Sequence, residues 1–179
     1  QAARNLDVTA VIMDNAVYGL TKGQSSPTTD LGDVTSSTPY GKLEKSVTPL
    51  GLYMSMGVSF IASGFSGKPK DLAKLITAGM EHPGFAIVHI QSPCTTYNDT
   101  YEELKGNAKA GIQPLLYDIP KDHDPTDRDS ANQLINSGRW PIGIIYENRD
   151  QPSLDQGLEE MRLRVNVKSS QSLLDSYDI

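Results

Sequence analysis

The stretch Asp14 to Gly32, DNAVYGLTKGQSSPTTDLG, gathers groups suited to a charged ligand. Asn15 offers a neutral oxygen. Thr21, Ser25, Ser26, Thr28 and Thr29 add hydroxyls, Gly19 and Gly23 leave backbone open to close approach, and Lys22 is the one cation. Magnesium takes a few hard oxygen ligands together with phosphate oxygens and water. Glycine backbones, N–H groups and hydroxyls can bind diphosphate oxygens. These residue types point to a phosphate-containing ligand held with a divalent cation. A solvated loop rich in Gly, Ser and Thr has the same composition, and Lys22 could be an ordinary solvated lysine within it.

A second stretch, Ser92 to Asn98, reads SPCTTYN and holds the sole cysteine, Cys94. A free cysteine is most often a small buried hydrophobe. No second cysteine is available, and His82, His89 and His123 do not stand at ligand spacing to it. Cys94 alone cannot form a metal site, but it could be one ligand of a site completed by another segment or chain. His89, inside FAIVHIQ, reads as a core residue hydrogen-bonded within a sheet. His82 adjoins Pro83 in a helix-ending turn. Asp122, His123 and Asp124 read as an exposed turn, and Tyr146, Glu147 and Asn148 end a strand without evident partners.

Both stretches follow apolar runs of strand length. DVTAVIMD, residues 7–14, reads as a short buried strand, and FAIVHI, residues 85–90, as another. Between them, Thr48-Pro49 supplies a hydroxyl N-cap and a first-position proline for a short helix, Leu50 to Met56. Residues 58–62 form a strand. Leu72, Leu75, Ile76 and Met80 recur at helical spacing within Lys70 to Glu81. Helices are expected at 100–110, 130–136 and 154–165, a strand at 142–146, and the last dozen residues read as a tail. Strands with near-continuous apolar runs, separated by helices, indicate an α/β fold: a parallel sheet with helices on both faces. Ligands of such sheets bind beyond the carboxyl ends of the strands. The loops after Asp14 and after Gln91 should therefore lie at one edge. The first runs from Asn15 to Tyr40, several times the ~4–6 residues usual for a loop, which favours a functional role.

The whole chain is acidic, with 179 residues, a formal net charge of -6 and a pI near 5.0. Without a basic cluster it is a poor match to nucleic acid or an anionic membrane surface. Its mean hydropathy is -0.38, and its apolar runs are too short to span a bilayer. A single cysteine rules out an intrachain disulfide and makes a cytoplasmic location the default.

The apolar strand followed by N-x-V-Y-G-L-T-K-G-Q-x-S-P-T is similar to the thiamine diphosphate motif of 2-oxoacid:ferredoxin oxidoreductase β subunits. The string S-P-C-x-T-[FY]-N after a strand resembles the second signature of the same subunits. The likeness extends over residues 5–148 and is densest at 14–29 and 92–98. It implies a thiamine-diphosphate-binding fold in which the Asn15 side chain and the Val17 carbonyl hold Mg2+, while Gly19, Leu20 and Thr21 face the diphosphate. It implies that Cys94 is one of four thiolates on a [4Fe–4S] cluster, the usual number for such a cluster. Lys22 stands where substrate class varies, pyruvate-type relatives tending to glycine. A cation there suits a substrate carboxylate and favours 2-oxoglutarate. The family's Gly-Asp-Gly element and three further cysteines are absent from these residues. On the resemblance, the chain is expected to be an N-terminally truncated piece or one half of a split subunit. Residues 1–150 would be the C-terminal part of the thiamine-diphosphate-binding domain and 151–179 an extension or tail.

The implied reaction is oxidative decarboxylation of a 2-oxoacid to acyl-CoA and CO2 with ferredoxin reduction. The implied partners are an α subunit, ferredoxin, coenzyme A and the 2-oxoacid, with no nucleic acid and no membrane. The chain alone is expected to be inactive. The alternative is a non-catalytic fragment or scaffold of the same fold that binds no cofactor by itself. A thiamine decarboxylase of the acetolactate synthase type is disfavoured, because it has no use for Cys94 in its SPC setting.

Overall fold

The computed structural model describes residues 1–165 and 169–177. After a single 3-10 turn, Ala2–Arg4, the chain forms β1 (Val8–Asp14) and a small ladder of β2 (Val17–Tyr18) with β3 (Gln24–Ser25). There follow α1 (Pro49–Ser55), β4 (Phe60–Phe65), α2 (Pro69–Met80), β5 (Phe85–Gln91), α3 (Tyr101–Lys105), β6 (Leu116–Asp118), α4 (Arg128–Ile135) and β7 (Trp140–Glu147). Last come α5 (Leu154–Arg164) and α6 (Ser170–Asp175), so part of the expected tail is helical. The main sheet has the order β1-β5-β4-β7-β6.

Strands β4 and β5 are central, and almost every residue in them is buried, which explains their unbroken apolar runs. Alternate side chains serve the two faces. Ile61, Ile87 and Ile145 pack under α1 and α4 with Leu50, Met54 and Ala131, while Phe60, Ala62, Ala86, Val88 and Ile90 meet Leu72, Leu75 and Ile76 of α2. Met80 points to solvent instead of joining that face. Its neighbour Gly79 makes the contact: a Cβ there would sit 3.2 Å from Thr9 and 3.3 Å from Val88. Strand β1 is an edge strand with half-exposed Val8, Val11 and Met13.

The sheet is mostly, not wholly, parallel. β1, β5 and β4 run together, as do β6 and β7, but β7 is antiparallel to β4. The cause lies in α3. A helix over 100–110 could have carried the chain back along the sheet, but α3 has five residues and spans only ~7–8 Å. Gly106, at φ 76°, then turns the chain so tightly that a Cβ would meet the Pro114 nitrogen at 2.7 Å. β6 therefore starts at the end of the sheet where β5 stopped and runs the other way. The short β6 has no apolar run long enough to be read from sequence.

The register aligns Asp14 with Gln91, and Gln91 with Phe65. The loops after Asp14 and after Gln91 thus leave the same edge, as expected.

Candidate functional site

The first loop is organised around the end of β1. Asp14 Oδ1 accepts from the Ala16 N–H at 2.9 Å and from the Thr28 hydroxyl at 2.7 Å. Asn15 Oδ1 accepts from the Val17 N–H at 3.1 Å, and the Thr29 hydroxyl donates to the Ala16 carbonyl. Four bonds thus hold Ala16 at φ 57°, a left-handed conformation uncommon for a residue with a Cβ. From the far side, the buried Lys42 donates to the carbonyls of Thr29 at 2.6 Å, Ser26 at 3.1 Å and Pro27 at 3.4 Å.

The second loop docks against the first. Ser92 N–H donates to the Asp14 carbonyl at 2.8 Å, and Asn98 Nδ2 to the Asn15 carbonyl at 3.0 Å. Cys94 and Asn98 exchange backbone bonds across the tip. Gly19 faces this contact: a Cβ there would lie 3.6 Å from the Asn15 amide nitrogen and 3.9 Å from the Cys94 sulfur. Gly23 lies under the Tyr97 ring, where a Cβ would come as near as 3.0 Å. Backbone N–H groups of Tyr97 and Thr96 aimed at the sulfur hold the Cys94 thiol below its ordinary range.

Asn15, Gly19 and Cys94 are thereby brought together. Leu20, Thr21 and Lys22 are exposed, with Thr21 hydrogen-bonded to Gln24 and Lys22 at φ 75° in a turn closed on the Gly19 carbonyl. A cavity of about 210 Å3 opens beside Asn15. Asp14, Thr28, Asp30, Ser46, Thr48, Gln91, Glu103, Leu104 and Trp140 are among the residues that line it. It carries three carboxylates and no cation, so a diphosphate would enter it favourably only with a divalent metal. Its oxygens are of the hard kind magnesium takes. Among the described residues no group of three or more His, Cys, Asp or Glu gathers to hold a metal, so the ligand oxygens of the diphosphate would have to complete the shell. For a [4Fe–4S] cluster the fit fails within this chain, which offers one thiolate of four.

Some features of the site were not legible in advance. Asp14, at the end of an apolar strand, is a partly buried carboxylate facing the cavity. His89, expected as a core residue, is indeed 1% exposed, and its Nδ1 pairs with the Tyr53 hydroxyl at 2.9 Å. Its Nε2 stands 3.3 Å from Asp14 Oδ2, an ion-pair distance, but off the line of a well-made hydrogen bond. Lys42 carried no sequence signal at all. His123 departs from the exposed turn expected of it: it is half-buried and bonds Ser130 and the Ile145 carbonyl.

Comparison with known proteins adds a separate line of evidence. Residues 1–90 match the family model described as thiamine pyrophosphate enzyme, C-terminal TPP binding domain. Residues 94–162 match the model for the C terminal of the pyruvate ferredoxin oxidoreductase beta subunit. The 2-oxoacid:ferredoxin oxidoreductase subunit beta of Saccharolobus solfataricus is 34% identical over 88% of this chain and 54% of its own length. The 2-oxoglutarate synthase subunit KorB of Methanothermobacter thermautotrophicus is 38% identical over 96% of this chain and 57% of its own. A solved structure of 2-oxoglutarate:ferredoxin oxidoreductase from Magnetococcus marinus, with 2-oxoglutarate, coenzyme A and succinyl-CoA bound, superposes with a TM-score of 0.85. It is 37% identical, and the alignment covers 99% of this chain and 60% of that one. The chain spans about half the length of the curated relatives it matches.

Proposed function

Since the chain belongs to the thiamine pyrophosphate enzymes, among the 2-oxoacid:ferredoxin oxidoreductase β subunits, we propose that it forms part of the thiamine diphosphate site of such an oxidoreductase. The observation that carries this is the docking of the two loops at one sheet edge, with Gly19 facing Asn15 and Cys94 together. The Asn15 side chain and the Val17 carbonyl would hold Mg2+, and Gly19, Leu20 and Thr21 would face the diphosphate. The acidic cavity supports a metal-bridged diphosphate over a bare one. Residues 1–150 would be the cofactor-binding body and 151–179 an extension from it.

When bound, thiamine diphosphate supplies the nucleophilic carbon that attacks a 2-oxo carbonyl and the electron sink for loss of CO2. This chain's contribution is to position and to exclude water. Asp14, Thr28 and Thr29 shape the turn that presents Asn15. Leu104, Leu115 and Trp140 are the large apolar groups that line the cavity beside Val47 and Pro49. Lys22 would pair with a substrate carboxylate, which favours 2-oxoglutarate, in keeping with the substrate named for the Magnetococcus enzyme. Cys94 would be one thiolate of a cluster completed by cysteines outside these residues, with an α subunit, coenzyme A and ferredoxin as partners.

Calorimetric titration with Mg2+ and thiamine diphosphate tests the reading. Tight binding is expected for an assembled α and complete β subunit, and weak or no binding for this chain alone. Asn15→Ala in the assembly should weaken binding about ten- to hundredfold, the loss of one ligand to a charged centre. An assembly that binds no thiamine diphosphate would return the chain to the class of non-catalytic scaffolds.

A further inference from the structure

The buried series Tyr53–His89–Asp14 begins on α1, crosses β5 and ends one residue before Asn15. His89 is almost wholly enclosed, between the rings of Tyr53 and Trp140, whose centroids lie 5.8 Å and 5.3 Å away. A hydrophobic core has no need of an imidazole there. Burying one requires partners for both ring nitrogens. Burial and the nearby Asp14 carboxylate push the Tyr53 hydroxyl up to about 12, so it keeps its proton and donates to Nδ1. Nε2 then faces Asp14 Oδ2 at 3.3 Å, an ion-pair distance off the line of a well-made hydrogen bond. The second oxygen of that carboxylate, Oδ1, takes the two bonds that set Ala16 and tether Thr28.

We propose that His89 is a positioning residue: by fixing the Asp14 carboxylate from beneath, it holds Ala16 in its left-handed conformation and so aims Asn15 and Val17. The assignment rests on the reading of Asn15 and Val17 as holders of the metal–diphosphate group. His89 acts through Asp14, whose two oxygens divide the work, Oδ2 toward His89 and Oδ1 toward the turn. Without the imidazole, Asp14 keeps its charge in a partly buried place and loses the contact that orients it. The carboxylate can then rotate toward water in the cavity, releasing Ala16 and Thr28. The two ring contacts also dictate which replacement should work. A glutamine side chain offers an NH2 donor and an oxygen acceptor in the same sense, a leucine neither.

Two measurements on His89→Leu and His89→Gln decide the matter. The first is amide hydrogen exchange in the chain without cofactor, comparing Ala16 and Val17 with Ile144 and Ile145 of β7. His89→Leu should speed exchange at Ala16 and Val17 about tenfold with β7 unchanged, while His89→Gln stays near the wild-type rate. The second is the apparent Kd for Mg2+–thiamine diphosphate in the assembled enzyme. It should rise about tenfold for His89→Leu and much less for His89→Gln. If His89→Leu leaves both turn exchange and Kd at wild-type values, the imidazole is only a core filler and the proposal falls. It falls equally if both variants accelerate β7 as much as the turn, for then the ring serves general packing. A wild-type assembly that binds no thiamine diphosphate would sink the functional reading alone, because the exchange measurement needs no cofactor.

Discussion

Lys42 holds the long loop from within, and its removal has a calculable effect. Its side chain is 5% exposed, and the ammonium makes two short bonds, to the Thr29 carbonyl at 2.6 Å and the Ser26 carbonyl at 3.1 Å, with a longer one to Pro27 at 3.4 Å. Hydrogen bonds to charged groups contribute ~1.5–3 kcal/mol each, so the two short ones amount to roughly 3–6 kcal/mol before correction. In Lys42→Met the apolar stem is kept and the cost of burying an ammonium is recovered, whereas the carbonyls lose their donor. A net loss of ~2–4 kcal/mol is expected, the range for a buried polar network broken at one member. For a chain of this size that corresponds to a fall of about 5–15 °C in Tm if the loop unfolds with the rest. If the loop opens by itself, exchange at Gly32 and Val47 should accelerate instead, since their N–H groups bond to the Lys42 and Pro27 carbonyls. Chemical denaturation followed by circular dichroism, together with exchange at those amides, covers both routes. A Lys42→Met chain with unchanged stability and unchanged loop exchange would refute the idea that this ammonium organises the loop.

Other sites lead to three more expectations. Burial holds the His82 imidazole below its ordinary 6.5 despite Glu147, so the unfolded chain takes up a proton first as pH falls. Stability from this site is full above about 6.5 and declines below it, and His82→Gln should flatten the stability profile below about pH 6.5, which urea titrations at several pH values would reveal. Because backbone N–H groups favour the Cys94 thiolate, alkylation of the folded chain should show a lower pH midpoint than the urea-unfolded chain, and coincident midpoints would contradict the geometry. In the assembled enzyme, Lys22→Ala should lower kcat/KM for 2-oxoglutarate about ten- to hundredfold and for pyruvate much less. Lys22→Gly removes the same charge while suiting the φ of 75°, so it should lose as much; a loss confined to the alanine variant would point to backbone and not charge.

Several features of fold and site were readable because they are local. The runs 7–14 and 85–90 became β1 and β5, and the helix near Lys70 to Glu81 became α2, each within a residue or two. The two loop motifs are contiguous strings, and the carboxyl-end rule alone was enough to place them together. Strand direction was not readable in this way. It depended on α3 being one turn long, and an apolar run is the same whether a strand is parallel or antiparallel to its neighbour.

The features of the site that escaped sequence reading share one physical cause. A buried polar group needs a partner, but nothing in the chain order says where that partner is. Reading His89 as a core residue was right about burial and silent about Tyr53 on α1 and Asp14 on β1, which become neighbours only when β5 lies between β1 and β4. Lys42 looked like any lysine of a polar loop, because its three carbonyl partners are backbone atoms, which every residue has. The motif residues that contact a ligand can be recognised by their types, whereas the groups that aim them are recognised only by their bonds. At this sheet edge the second set is buried and the first is half open. Substitutions at Lys42 or His89 should therefore disturb ligand geometry without touching the ligand, and substitutions at Leu20 or Thr21 should change contacts while leaving the turn as it is.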